Sequence, residues 1–312
     1  MIGIDVGGAN LKVAVENGVH TRYCPLWEGS PLRELLGSYA RHGEDAAAVV
    51  MSGELADCFA TRAEGISWIV DTVREVFPSA LFYGTDARFH DRAVPALAAA
   101  NWLASADFLR ERHPGALLVD MGSTTTDVVP LADFSSLLGL TDLDRLQRGY
   151  LVYTGLLRTT VPAVLREVAL DGVATPVSAE YFACSADAHL VLGHIEEGDY
   201  AGDAPDRGGK DRASCLRRLA RVVCSDLEEI GESGAMAVAS AFRERQRELV
   251  QAAIDRARAR TGAGEVLAAG IGAALLAADY GGRDLSAELG KPGSAALPAL
   301  AVREVLIRGR GC

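Results

Sequence analysis

One pattern occurs twice in this chain and restricts its fold more than any other feature. Residues 1–15 open with the apolar run Met1–Ile4, pass through Asp5-Val6-Gly7-Gly8-Ala9-Asn10 and resume as Leu11–Val15. Ala116–Asp120 repeats the sentence. It continues through Met121-Gly122-Ser123-Thr124-Thr125-Thr126 into Asp127–Pro130, with Asp120 standing 115 positions after Asp5. Apolar runs of this length, bounded by glycine and small polar residues, read as buried strands rather than helices. Each copy is therefore a strand ending in Asp, a tight turn and a returning strand.

The intervening segments are consistent with two α/β lobes. Ala47–Met51 and Leu81–Tyr83 read as short buried strands, and Gly65–Val76 carries Ile66, Ile69, Val70 and Val73 on one helical face. Val94–Arg112 reads as one Ala-rich helix stopped by Pro114-Gly115. Ala213–Gly231 and Gly234–Arg260 read as long helices. Glu265–Ala269 reads as a strand running through Gly270-Ile271-Gly272 into a helix from Ala273. Strands alternating with helices define an α/β architecture.

The loops suggest their own chemistry. Gly7 and Gly8 let the backbone turn tightly and bring N–H groups near a phosphate, with Asn10 and Lys12 at the edge. The second loop offers Gly122, Ser123, Thr124 and Thr125, then Asp127. Asp5 and Asp120, each ending a strand, would repel a phosphate directly and are better suited to Mg²⁺. Lys12 is a point charge within reach of phosphate oxygens. Gly270 and Gly272 precede a helix N-terminus, a recurrent phosphate contact. Each element has a plainer reading: a glycine hairpin, a Thr-rich turn, and close helix–strand packing.

Composition removes other classes. The net charge is −11 with no dense Lys/Arg block, which argues against nucleic acid as partner. The longest apolar run, Ala93–Ala106, is interrupted by Pro95 and Asn101 and is too short for a membrane span of roughly 20 residues. No basic leader precedes the first strand, so a cytoplasmic location is expected. Six scattered cysteines contain no CxxC, which argues against a zinc knuckle; Cys215 and Cys224 fall on one predicted helix as small core residues.

The duplicated Asp-x-Gly loops with a late Gly-x-Gly resemble the acetate and sugar kinase, heat-shock and actin superfamily. Within it, Gly3-Ile4-Asp5-Val6-Gly7-Gly8-Ala9-Asn10-Leu11-Lys12 resembles the hydantoinase/oxoprolinase branch. Met51–Asp57, Ala99-Ala100-Asn101-Trp102, Asp120–Asp127, Ser185-Ala186-Asp187-Ala188-His189 and Arg218-Leu219-Ala220-Arg221 extend the likeness. They point to the tetrahydromethanopterin-linked C1-transfer proteins and their archaeal relatives, the methanofuran-biosynthesis condensing enzymes. The resemblance implies two RNase-H-like lobes around a central cleft, residues 1–112 and 113–312, with a helical insertion in the second and the final residues packing back on the first. It implies a transferase that joins an aminomethylfuran-methyl diphosphate to the phenol oxygen of a tyrosine or γ-glutamyltyramine, with Mg²⁺ and release of diphosphate. That reaction needs a proton acceptor, for which Asp187 and His189 are candidates; their plainer reading is a helix-capping Asp beside a surface His. A small-molecule kinase or a hydantoinase/oxoprolinase-type hydrolase, with ATP or ADP at Gly270-Ile271-Gly272, is the alternative, and a non-catalytic nucleotide sensor a third. The acceptor and a monomeric or homodimeric state are left open.

Overall fold

The computed structural model describes residues 1–40 and 46–310 and contains two open sheets. The first is built from β1 (Ile2–Val6), β2 (Asn10–Val15), β3 (Gly18–Tyr23), β4 (Ala47–Met51), β5 (Leu81–Tyr83) and β6 (Phe89–His90), in the order β3-β2-β1-β4-β5-β6. In the second half come β7 (Leu117–Met121), β8 (Thr126–Pro130) and β9 (Leu151–Val152). A separate hairpin follows, β10 (Glu167–Leu170) with β11 (Val173–Pro176), and then β12 (Val266–Gly270) and β13 (Arg283–Asp284). The second sheet runs β13-β12-β7-β8-β9.

The two sheets share one topology. In each half the first strand is antiparallel to the second and parallel to the fourth, and the fifth continues parallel outside the fourth. This is the RNase-H-like arrangement, present twice, so the repeat visible in the sequence is a repeat of whole lobes. The central strands β1, β4 and β12 are buried along their full length, as the continuous apolar runs require. The C-terminal ends of β1 and β7 both open onto one cleft, where α/β sheets place their ligands.

Three segments depart from the sequence reading. Val94–Arg112 is two pieces, a 3₁₀ turn at Pro95–Leu97 and an α-helix at Asn101–Leu109. Ala98 is extended and Ala99 takes φ of 45°, a break that alanine's helix propensity conceals. Ala213–Gly231 ends early, at Arg221, and a new helix starts at Leu227 behind an Asp226 cap. Cys224 lies in this break with φ of 58° and is exposed, so only Cys215 is a core residue. Cys312 lies outside the described residues. The sequence reading also had no strand at β3, whose side chains are almost all exposed.

The last helix, Leu297–Arg310, lies against β1 and β4 of the first sheet, and Arg303 Nε donates to the Met1 carbonyl at 3.1 Å. Gly3 permits this approach, since a Cβ there would stand 2.0 Å from the Ala299 carbonyl oxygen. Gly3→Ala should therefore destabilise the chain by about 1–3 kcal/mol through overpacking. A lowered urea midpoint measures it; an unchanged midpoint would mean that the helix is not held at this contact.

Candidate active site

The cleft measures about 1210 Å³, and both duplicated loops line it. Strand register puts the key side chains in place. Asp5 pairs across the antiparallel ladder with Lys12, and the Lys12 ammonium sits 3.5 Å from the Asp5 carboxylate. The equivalent positions in the second lobe are Asp120 and Asp127, which are also directly cross-strand. The duplication thus yields an opposite-charge pair in one lobe and a like-charge pair in the other.

The like-charge pair has consequences. Directly opposed carboxylates repel, and the cleft wall desolvates both. Burial first, then Asp127, pushes the Asp120 carboxyl up to about 7. Asp127 is also raised by burial, but Arg145 opposes that by pairing with it directly. Arg145 is itself buried, held by Asp142 at 2.8 Å and stacked on the Trp102 ring at 4.4 Å. Asp5 is raised by burial and lowered by Lys12, and its Oδ1 has no hydrogen-bond partner.

Glu54, from the turn after β4, is a site residue that sequence reasoning passed over. It lines the cleft, is 1% exposed, and its Oε2 has no hydrogen-bond partner. Arg62 Nε lies 3.6 Å from Oε1. Burial pushes this carboxyl up to about 7. The packing that holds it is backbone packing: a Cβ on Gly65 would stand 2.1 Å from the Glu54 carbonyl oxygen. No sequence motif marks it, because its character comes from the helix folded over it.

The turns have spare donors. Among the described residues, the amides of Gly8, Ala9, Ser123, Thr124 and Thr125 donate to no protein acceptor. The Ser123 carbonyl is occupied instead, accepting from Leu157 and Arg158 at 3.0 and 2.9 Å. Gly270 closes the cleft from β12 with φ of 85°; a Cβ there would fall 2.3 Å from Asp120 Oδ1. Gly272, by contrast, is absent from the lining and packs on the Met121 side chain, so its glycine serves helix–strand packing.

Asp187 and His189 are not brought to the cleft; both are fully buried in the helix Ser185–Val191. Asp187 accepts from the Cys184 amide at 2.9 Å and pairs with Arg218 at 2.7 Å, each partner fully buried. His189 bonds Gln246 through Nε2 at 2.9 Å and His194 through Nδ1 at 3.0 Å, and burial with His194 pushes it down to about 3. It is therefore neutral near pH 7, and it is interior rather than a surface His. Gln246 donates in turn to Thr154 Oγ1 and the Gly155 carbonyl, both at 2.9 Å. Through Gln246, His189 thus holds the 154–158 loop against the Ser123 turn; Asp187, His189 and Gln246 do not line the cleft, whereas His194 does.

No group of three or more His, Cys, Asp or Glu is gathered as a metal cage among the described residues. The donor set nevertheless suits Mg²⁺. That ion is bound through one or two carboxylates plus substrate phosphates and water, and the unpartnered Asp5 Oδ1 and the Asp120 carboxylate, which forms no direct ion pair among the described residues, are hard oxygen donors.

A duplicated RNase-H-like fold with carboxylates, free amides and a lysine lining one cleft is the frame of an enzyme that acts on small molecules. Residues 45–302 match the hydantoinase/oxoprolinase family, and the chain belongs to it. A relative from Methanocaldococcus jannaschii, (4-{4-[2-(gamma-L-glutamylamino)ethyl]phenoxymethyl}furan-2-yl)methanamine synthase, is 36% identical over 98% of this chain and 97% of its own length. A synthase of the same name from Methanococcus vannielii is 35% identical over 51% of this chain and 72% of its own. Among solved structures, a ROK family glucokinase from Streptomyces griseus, in complex with glucose and AMPPNP, is 14% identical with a TM-score of 0.44, covering 97% of this chain and 99% of its own. A nucleotide-free acetone carboxylase is 9% identical at 0.42, over 87% of this chain and 48% of its own. At these scores it is the sheet topology, not the overlay, that defines the fold. No described helix is long and apolar enough to cross a membrane.

The electrostatics predict a stability change. The Glu54 carboxyl takes a proton more readily folded, at about 7, than at its ordinary 4.5. Its cost is absent below the ordinary value and appears as pH rises through about 7. Glu54→Gln should therefore stabilise the chain by about 2–3 kcal/mol at pH 8 and have little effect at pH 4.5. Equal denaturation midpoints for mutant and wild type at pH 8 would show that this carboxylate is solvated.

Proposed function

We propose that the chain condenses an aminomethylfuran-methyl diphosphate with the phenol oxygen of a tyrosine or γ-glutamyltyramine and releases diphosphate. The observation that carries this reading is the near full-length likeness to a synthase whose name describes that aryl furfuryl ether. The cleft chemistry agrees. Bond formation joins the phenol oxygen to the furan methylene carbon as the carbon–oxygen bond to diphosphate breaks. The electron pair leaves with diphosphate, and the phenol proton passes to a base.

Lys12 and the free amides of Gly8, Ala9, Ser123, Thr124 and Thr125 would receive the departing diphosphate. Asp5 and Asp120 would hold Mg²⁺, which neutralises leaving-group charge when bound. Glu54 is the base we favour over Asp187 and His189. It lines the cleft, has a free carboxylate oxygen and changes protonation near neutral pH. A cytoplasmic setting, where a phosphorylated intermediate is retained, fits this chemistry.

Lys12→Ala should lower kcat/KM for the furan diphosphate by about 10²–10³-fold while leaving folding intact. An unchanged value would make Lys12 a solvated strand residue. The rate should rise with pH and level off above about 7, as Glu54 loses its proton. Glu54→Gln should lose that rise together with most of kcat. Mass spectrometry of enzyme, Mg²⁺, furan diphosphate and either phenol decides the reaction. An ether with free diphosphate supports it; ADP from ATP with no ether moves the protein to the kinase alternative.

A further inference from the structure

Beside the main cleft opens a second pocket of about 310 Å³, near the lower end for small-ligand sites. Asn10, Ser123 and Arg158 line both spaces, so the two communicate at the turns that cradle phosphate. Its walls come from both halves of the chain, with Tyr23 and Trp27 on one side and Tyr181 and Tyr200 on the other.

Its charges are mixed. Arg158 and Arg207 are the cations, and Glu28 and Asp203 the anions. Three of them act on one group: the Tyr23 hydroxyl is pushed up by burial, then by Glu28 and Asp203, and pulled down by Arg158. The Arg158 guanidinium lies 4.9 Å from the Trp27 ring centroid, held across the boundary between the lobes. The floor is fixed from below. Tyr200 OH donates to Asp187 at 3.1 Å, and Arg218 holds Asp206 and the Gly209 carbonyl at 3.0 and 2.9 Å. The loop bearing Asp203 and Arg207 is thereby tied to the buried Asp187–Arg218 pair, and Arg207 keeps a left-handed φ of 55° within it.

This combination suits neither half of a phosphate ester. Glu28 and Asp203 would repel a diphosphate, and an uncharged aromatic would leave four charges without a role. A molecule with an aromatic body and an amino-acid zwitterion answers both the rings and the charges. We infer that this side pocket binds the amino-acid end of the phenolic acceptor. Arg158 takes the carboxylate, Glu28 and Asp203 take the ammonium, and the phenol is directed past Asn10 and Ser123 toward the phosphate cleft. This assignment rests on the proposed condensation for the identity of the acceptor, and the pocket alone selects the chemical class.

Calorimetry on the full chain tests it. The probes are γ-glutamyltyramine and L-tyrosine, each with phenol and zwitterion, and tyramine, which lacks the carboxylate. At least one zwitterionic phenol should bind wild type. Arg158→Met should weaken that binding about 10–100-fold, the worth of a hydrogen bond to a charged group. Tyramine binding should change by less than about threefold, and inorganic diphosphate with Mg²⁺ should bind the variant as it binds wild type. The assignment is overturned if neither zwitterionic phenol binds, if Arg158→Met leaves their affinity unchanged or weakens tyramine equally, or if adenosine displaces them. Ether formation is read separately. If ether forms while the variant binds acceptor normally, the pocket assignment falls and the condensation stands. If zwitterionic phenols bind through Arg158 but no ether forms, the condensation falls and the pocket stands.

Discussion

The cleft depends on what stands opposite the Asp that ends the first strand of each lobe. In the first lobe the cross-strand partner of Asp5 is Lys12; in the second, the partner of Asp120 is Asp127. Residues so paired lie about 4.5–5.5 Å apart at Cβ, close enough for charge to dominate. Duplication supplied two equivalent positions, and a different residue at one of them made the lobes electrostatically unlike. The first lobe offers a cation to an anionic group. The second concentrates negative charge, needs Arg145 to pair with Asp127, and leaves Asp120 with no direct ion pair among the described residues, only the influence of Lys12 from the other lobe.

A second layer of buried polar groups fixes the loops. Arg145 on Trp102, Asp187 with Arg218, and His189 through Gln246 are each enclosed and multiply bonded. Buried ion pairs contribute little net stability because desolvation offsets attraction, yet breaking one strands a charge. Their effect here is geometric. The Asp187–Arg218 pair positions the 201–209 loop, and Gln246 positions Gly155. A Cβ on Gly155 would come within 2.7 Å of the Gly122, Ser123 and Thr124 backbone. The Ser185-Ala186-Asp187-Ala188-His189 stretch therefore supports the site from behind.

What was legible in the sequence was local. The strand–Asp–turn units and the buried strands Ala47–Met51 and Leu81–Tyr83 appear as short apolar runs, because a strand covered on both faces needs no alternation. The edge strand Gly18–Tyr23 carries exposed polar side chains and so gave no periodic signal. Alanine-rich sequence masked the break at Ala99, since propensity counts residues and not the φ that packing imposes. Asp187 and His189 looked reactive because their partners lie 31 and 57 positions away, at Arg218 and Gln246. Glu54 looked ordinary for the same reason, because burial and a missing partner are tertiary properties.

On the proposed function, a chain of net charge −11 that takes a diphosphate must solve the charge problem locally. Arg145 lines the cleft but is already committed to Asp127 and Asp142. Arg62 is drawn toward Glu54, and Lys12 is shared with Asp5. Among the described residues Arg158 and Lys291 also line the cleft, but these two cannot cancel a leaving group of several negative charges beside Asp5, Asp120 and Asp127. The turn amides are neutral dipoles and can take up part of that charge but cannot cancel it. Raised carboxyls at Asp120 and Glu54 reduce the repulsion near neutral pH without reversing its sign. On the proposed function, the cleft is therefore complementary to a diphosphate that carries its own divalent cation. The acidity that repels a bare polyanion is the same property that makes the hard-oxygen donors Asp5 and Asp120 useful once a divalent cation is present.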